Sequence, residues 1–144
     1  MKLIDNRTGL EVLGRDECYR LLGLNGVGRI AVVDGGHPVI FPVNYVIDGE
    51  TILFRTAPGT KLDSAVRSQK VAFQIDSADP MYHTGWSVLV VGRCEEITDL
   101  ERLAEITELP LRPWAAGDKD HVIAISGETV TGRRVVHVAP RDEG

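Results

Sequence analysis

The segment Phe54-Arg55-Thr56-Ala57-Pro58-Gly59-Thr60-Lys61-Leu62 places two cations and two hydroxyls around a Pro-Gly turn. It runs from a strand end into a helix start, and such a set of side chains and backbone N–H groups can hold a phosphate without a P-loop. The same residues have a purely local use: Thr60 or Gly59 can serve the helix start while Arg55 and Lys61 are solvated, and spacing does not separate the two. A second segment, Phe41-Pro42-Val43-Asn44-Tyr45, carries a proline inside a strand pattern. Proline removes a ladder donor and so marks an edge, a bulge or a bound ligand. Asn44, on the opposite face from Val43 and Tyr45, offers two donors and an acceptor to the edge of a planar heterocycle. The alternative is an edge kink with Asn44 in solvent. Trp86 and Trp114 could each cover an aromatic ligand, although a lone tryptophan more often packs in a core.

Other chemistry finds little footing. Gly26-Val27-Gly28 follows a helix and precedes a strand, the reverse of the order that aims a helix N-terminus at a dinucleotide. His37, His83, His121 and His137 lack metal-ligand spacing, so no metal site is expected. Cys18 and Cys94 stand far apart with no C-x-x-C partner and read as buried thiols. There is no G-x-S-x-G elbow, and Cys18 on an apolar helix face is a poor nucleophile. Glu95 and Glu96 point to opposite faces of a strand and cannot act as one acid/base pair.

The elements that would carry these residues are mostly strands. Cys18, Leu21 and Leu22 form the apolar face of a helix over residues 15–25. Gly28 to Val33, Val39 to Ile47 and Thr51 to Thr56 are then joined by the glycine turns 34–38 and 48–49 into an antiparallel meander, which excludes a βαβ nucleotide-binding unit. Pro58 to Ser68 reads as a helix, Val71 to Ile75 as a fourth strand, and Gly85 to Ile97 as a long fifth strand with Gly92 as its bend. Thr98 or Asp99 caps a helix through Glu108, ended by Pro110 and Pro113. His121 to Ser126 and Arg133 to Val138 supply one or two last strands, and residues 139–144 are a loose tail. The expected fold is mainly β with inserted helices: a six- to seven-stranded antiparallel, partly open barrel in one domain over residues 1–144.

The charge pattern limits the partners. The 144 residues carry a net charge of −5, with 43% hydrophobic residues. A net-negative chain without a Lys/Arg run lacks the surface that neutralises nucleic-acid phosphates, so no nucleic-acid role is expected. No apolar run approaches the roughly 20 residues of a membrane helix, and Met1 to Arg7 has no signal-peptide core, so no membrane role and a cytoplasmic location are expected. Asn6-Arg7-Thr8 matches a glycosylation acceptor by chance alone under that reading. Residues 1–72 have 9 basic and 8 acidic side chains against 7 and 13 in residues 73–144, so the candidate anion segment sits in the near-neutral half.

The ordered set Gly28-Arg29-Ile30-Ala31-Val32, Pro42-Val43-Asn44-Tyr45, Phe54 to Leu62 and Trp86 to Arg93 resembles the pyridoxamine 5'-phosphate oxidase-like family over residues 14–97. Arg112-Pro113-Trp114 and Val130-Thr131-Gly132-Arg133-Arg134 are similar to actinobacterial members of its smaller branch. The resemblance implies a split β-barrel of the FMN-binding type, a homodimer with the cofactor in a groove between protomers, and an oxidoreductase of a small organic molecule. By position it places Phe41, Pro42, Val43 and Asn44 along the isoalloxazine and ribityl chain. It places Thr56, Ala57, Thr60, Lys61 and Leu62 around the phosphate, where Arg55 also lies in the anion segment, and brings Trp86 and Ser87 from the other protomer. The family's C-terminal Arg-x-His element is matched only by Arg133-Arg134-Val135-Val136-His137, whose spacing differs and argues against vitamin B6 oxidation. A deazaflavin coenzyme on the same barrel, or a non-catalytic flavin carrier, are the alternatives.

Overall fold

The computed structural model describes residues 3–4, 9–24, 26–67, 69–109 and 121–135. Within them lie eight strands and three helices: β1 (Leu3–Ile4), β2 (Glu11–Leu13), α1 (Arg15–Leu22), β3 (Val27–Asp34), β4 (His37–Asp48), β5 (Thr51–Thr56), α2 (Lys61–Ala65), β6 (Lys70–Asp79), β7 (Thr84–Glu96), α3 (Leu100–Thr107) and β8 (His121–Val135). Every pairing among them is antiparallel. The order β8-β5-β4-β3-β6-β7 closes on itself because β8 also pairs with β7, giving the split barrel, with β1 and β2 added beside the far half of β8.

The expected meander is present and its turns have the predicted cause. Gly35 and Gly36 adopt φ of 58° and 80° between the paired Asp34 and His37, and Gly49 adopts 62° between Asp48 and Thr51. Such angles admit glycine at no steric cost. The bend at Gly92 is also real. The register of β7 against β8 shifts between Val91 and Gly92, and a Cβ on Gly92 would lie 2.0 Å from the Ser126 carbonyl oxygen.

The closed ring has six strands, as expected, and β1 and β2, too short to show a period in the sequence, are added to it. Three expectations change. The two segments expected at the C-terminal end are one 15-residue strand, β8, because pairing with β7 along its length carries it through Gly127 and Gly132. The helix expected over 58–68 is only α2, because Gly59 at φ 81° breaks helical geometry and Thr60 becomes the cap. The first helix stops at Leu22, where the Gly23 N–H donates to the Tyr19 carbonyl and the Leu24 N–H to the Leu21 carbonyl. Asn25, Ser68, Pro110, Pro113 and Trp114 lie outside the described residues, as do residues 136–144, the Arg112 segment and the Asn6 acceptor.

Inside the ring, Ile30, Val43, Tyr45, Phe54, Phe73, Val88, Val90 and Ile125 form the core, joined by Cys18, Leu21 and Leu22 of α1. Tyr45 and Phe73 meet edge to face with centroids 4.9 Å apart, and Gly28 leaves room for that ring, since a Cβ there would lie 2.3 Å from Phe73 Cζ. On the outside of β5 and β8, α3 buries Leu53, Val122 and Ile106 in a second cluster. Ile52, Leu53 and Phe54 are therefore all buried, the pattern of a strand covered on both faces. Arg102 ties α3 to Asp48 at the β4–β5 turn, and Asp99 caps the helix as expected. No helix of the described residues is long and apolar enough to cross a membrane.

Candidate functional site

The ladder between β4 and β5 is short: it covers only Tyr45–Asp48 against Thr51–Phe54. Both strands continue past it, β4 backward through Phe41–Asn44 along β3, and β5 forward through Arg55 and Thr56 along β8. They diverge, and the opening between them is the split. The Tyr45 N–H donates to the Gly26 carbonyl on the β3 side, so alternate residues Pro42 and Asn44 turn their main chain toward the split. Pro42 thus gives up no ladder bond, which is why a proline is tolerated in this 12-residue strand. Past the last pair, Tyr45 with Phe54, the Pro42 carbonyl and the Asn44 N–H face the opening.

A cleft of about 260 Å³ occupies the split. Its walls are Phe41, Pro42, Val43 and Asn44 from β4, Arg55 and Thr56 from β5, and Ala57, Thr60, Lys61 and Leu62 from the turn and first residues of α2. Ten of the twelve sequence-selected residues therefore meet in one place. Phe41, Pro42, Val43 and Leu62 make part of the wall apolar, Asn44 adds an amide, and Arg55 and Lys61 add positive charge. None of these lining residues is a carboxylate, histidine, cysteine or tyrosine.

The turn at the cationic end is organised by a residue the sequence reading missed. Asp63, 5% exposed, accepts from the Thr56 hydroxyl at 2.7 Å and from the Gly59 N–H at 3.3 Å. Its carboxylate also meets His121 Nδ1 at 2.7 Å and the Arg67 guanidinium at 3.3 Å, and Arg67 continues to Glu96 at 2.6 Å. Burial pushes the Asp63 carboxyl up, but the bonds from His121, Thr56, Gly59 and Arg67 outweigh it and hold the group at about 2. It is ionised at neutral pH, with Arg67 beside it as counter-charge.

This arrangement corrects one expectation about the hydroxyls. Thr56 spends its proton on Asp63, while Thr60 donates to the Ala57 carbonyl at 2.8 Å and accepts from the Asp63 N–H at 3.2 Å. Both line the cleft with their hydroxyl protons committed inside the protein. Thr60 is the helix cap of the local reading, and it coexists with the cleft rather than replacing it. The missed signal was Thr60-Lys61-Leu62-Asp63, a Thr-x-x-acid start in which the acid reaches back toward the turn. Here it reaches Gly59, one residue beyond the usual partner.

Trp86 and Ser87 do not join the ten. They line a different cleft of about 640 Å³, beside the β6–β7 turn, with Asp76, Asp79, His83 and Arg133. Trp86 is half-buried against the barrel core, while Ser87, its neighbour on the strand, belongs to the opposite face. Both cysteines are buried, and burial pushes Cys94 up to about 12, so neither is a nucleophile. Among the described residues no group of three His, Cys, Asp or Glu side chains could hold a metal ion.

The family described as pyridoxamine 5'-phosphate oxidase matches residues 14–142. The chain belongs to this family. A protein of Mycobacterium tuberculosis named Rv0080, itself uncharacterized, is 40% identical over 129 residues, covering 86% of this chain and 84% of that one. Among solved structures, the FAD-binding protein of Mycobacterium smegmatis is 40% identical with a TM-score of 0.78, over 85% of this chain and 96% of that chain. An FAD-binding protein of Mesorhizobium loti is 26% identical with a TM-score of 0.67, over 88% and 99%. The split between β4 and β5 is thus part of a barrel that this oxidase family shares.

Proposed function

We propose that the chain is a flavin-binding domain over its 144 residues, with the flavin lying along the β4–β5 split and its phosphate at Arg55 and Lys61. The observation that carries this reading is the polarity of one cleft: apolar wall and Asn44 amide toward β4, two cations toward the α2 turn. That is the order of a flavin mononucleotide, an aromatic ring system with polar edges joined by a ribityl chain to a dianion. Phe41, Pro42 and Val43 pack along the ring and chain, and Asn44 presents hydrogen-bonding groups to the heterocycle edge. Thr56, Ala57, Thr60 and Leu62 enclose the phosphate sterically while Arg55 and Lys61 neutralise it. When bound, the flavin supplies the redox step of an oxidoreductase acting on a small organic substrate, and the protein supplies binding and orientation. The lack of a carboxylate, histidine, cysteine or tyrosine among the lining residues agrees with that division of labour.

The ligand in this reading is FMN, and the relatives named for FAD support the dinucleotide as the second reading, since FAD contains the same mononucleotide. The visible spectrum of the purified protein tests the first step, and mass analysis of the released cofactor tells FMN, FAD and a deazaflavin coenzyme apart. A colourless protein that binds none of the three when titrated refutes the proposal. Reduction of the bound flavin by NADH or NADPH supports an oxidoreductase; failure under all conditions leaves a flavin carrier.

The same reading includes a homodimer in which Trp86 and Ser87 reach the flavin of the partner. The outward row Ile40, Ala31, Ala72 and Val91 runs across four adjacent strands, and Ile40 is 67% exposed. Val33 and Leu89 extend this apolar face, of the kind a second copy covers. Light scattering decides the oligomeric state.

A further inference from the structure

We propose that Asp63 is a positioning residue that holds the phosphate-facing turn in its ligand-ready shape, acting through the Thr56 hydroxyl and the Gly59 N–H. The proposal rests on the flavin reading above and concerns a side chain that does not line the cleft. A buried carboxylate beneath an anion site is an electrostatic disadvantage, so its presence needs a geometric benefit. Asp63 supplies one. It grips the turn at both ends, at Thr56 on β5 and at Gly59, whose φ of 81° sets the chain direction into α2. Its other contacts, Arg67 and His121, link it to Glu96 of β7 and to the start of β8. The turn between Arg55 and Lys61 is thereby clamped to two barrel strands, and the two cations are carried by a rigid frame rather than a free loop. Arg67 also offsets the carboxylate's charge, which limits the repulsion felt by a phosphate.

The two effects of Asp63 predict opposite signs, so one substitution separates them. Asp63→Asn removes the negative charge and leaves an amide that cannot accept from every donor now around it. If charge dominated, FMN would bind more tightly; if positioning dominates, FMN binds more weakly. The readout is the Kd of FMN and of riboflavin, which lacks the phosphate, from quenching of flavin fluorescence on wild type and variant. The expected result is a loss on the order of tenfold for FMN, with riboflavin unchanged within about twofold. A merely structural role would weaken both flavins together, and that outcome, like tighter or unaltered FMN binding, overturns the proposal. Thr56→Val keeps shape while deleting one of the two grips, and it should show the same FMN-selective loss. If the thermal melt shows that Asp63→Asn does not fold, Thr56→Val alone decides between the two effects. Wild-type protein that binds neither flavin refutes the flavin reading and this proposal with it. Wild type that prefers FMN, with both variants unaffected, refutes the role of Asp63 alone.

Discussion

Acid should strip a defined part of the stability from this protein, and Asp63 is the group responsible. Its carboxyl is raised by burial and lowered more strongly by His121, Thr56, the Gly59 N–H and Arg67, settling at about 2 against an ordinary 3.8. The folded state therefore favours the ionised form. The difference between those two values corresponds to about 2 kcal/mol. With the side chain only 7% exposed, solvent screening takes little from this figure. Because the folded value lies below the unfolded one, the contribution is complete above about pH 5 and is lost as pH falls through 3.8 toward 2. The assay is urea unfolding of wild type and Asp63→Asn at closely spaced pH values. At neutral pH the variant should be less stable by at least this amount, since donors that met a charge now meet an amide. The gap should narrow by about 2 kcal/mol as the wild-type carboxylate protonates. Glu17, also held near 2 by Arg20 and Arg134, titrates in the same range but is common to both proteins and cancels in the difference. Parallel stability curves across the whole range would refute the reasoning, because they would mean that folding does not depress the Asp63 carboxyl.

Further outcomes follow from the same contacts. Lys61→Ala should weaken FMN binding by about 1–3 kcal/mol and leave riboflavin binding alone; an unchanged FMN affinity removes Lys61 from the site. Gly92→Ala should cost about 2–3 kcal/mol in chemical denaturation, because its Cβ would press on the Ser126 carbonyl of a paired strand and not on a movable side chain. Tyr45→Phe should cost about 1–2 kcal/mol, since the buried hydroxyl donates to the Leu22 carbonyl and its removal strands that acceptor. Ile40→Asp should convert the proposed dimer to monomer by light scattering, and a wild-type monomer at every concentration would end the interface reading.

The meander, its glycine turns, the capped third helix and the bend at Gly92 were legible because each rests on a local rule: period two, positive φ, a capping carboxylate, and a glycine inside a strand pattern. The cleft was partly legible for a different reason. Pro42 and the Arg55–Lys61 segment each break a local pattern, and breaks of that kind concentrate where a chain faces a ligand or an edge. Alternation placed Asn44 opposite Val43 but could not tell whether a strand lay beside it.

Tertiary structure alone decided three things. It ended the β4–β5 ladder at Tyr45 and Phe54, so that ten residues from two distant segments line one opening. It brought His121 onto Asp63, a contact across 58 positions of sequence that no spacing rule can reach, whereas Arg67 stands at the ordinary i,i+4 spacing. It also assigned the hydroxyl protons of Thr56 and Thr60 to internal acceptors, leaving Arg55 and Lys61 as the charged lining of the cleft. Residue types are fixed along the chain, whereas which donor meets which acceptor is settled only when burial removes water as the competing partner.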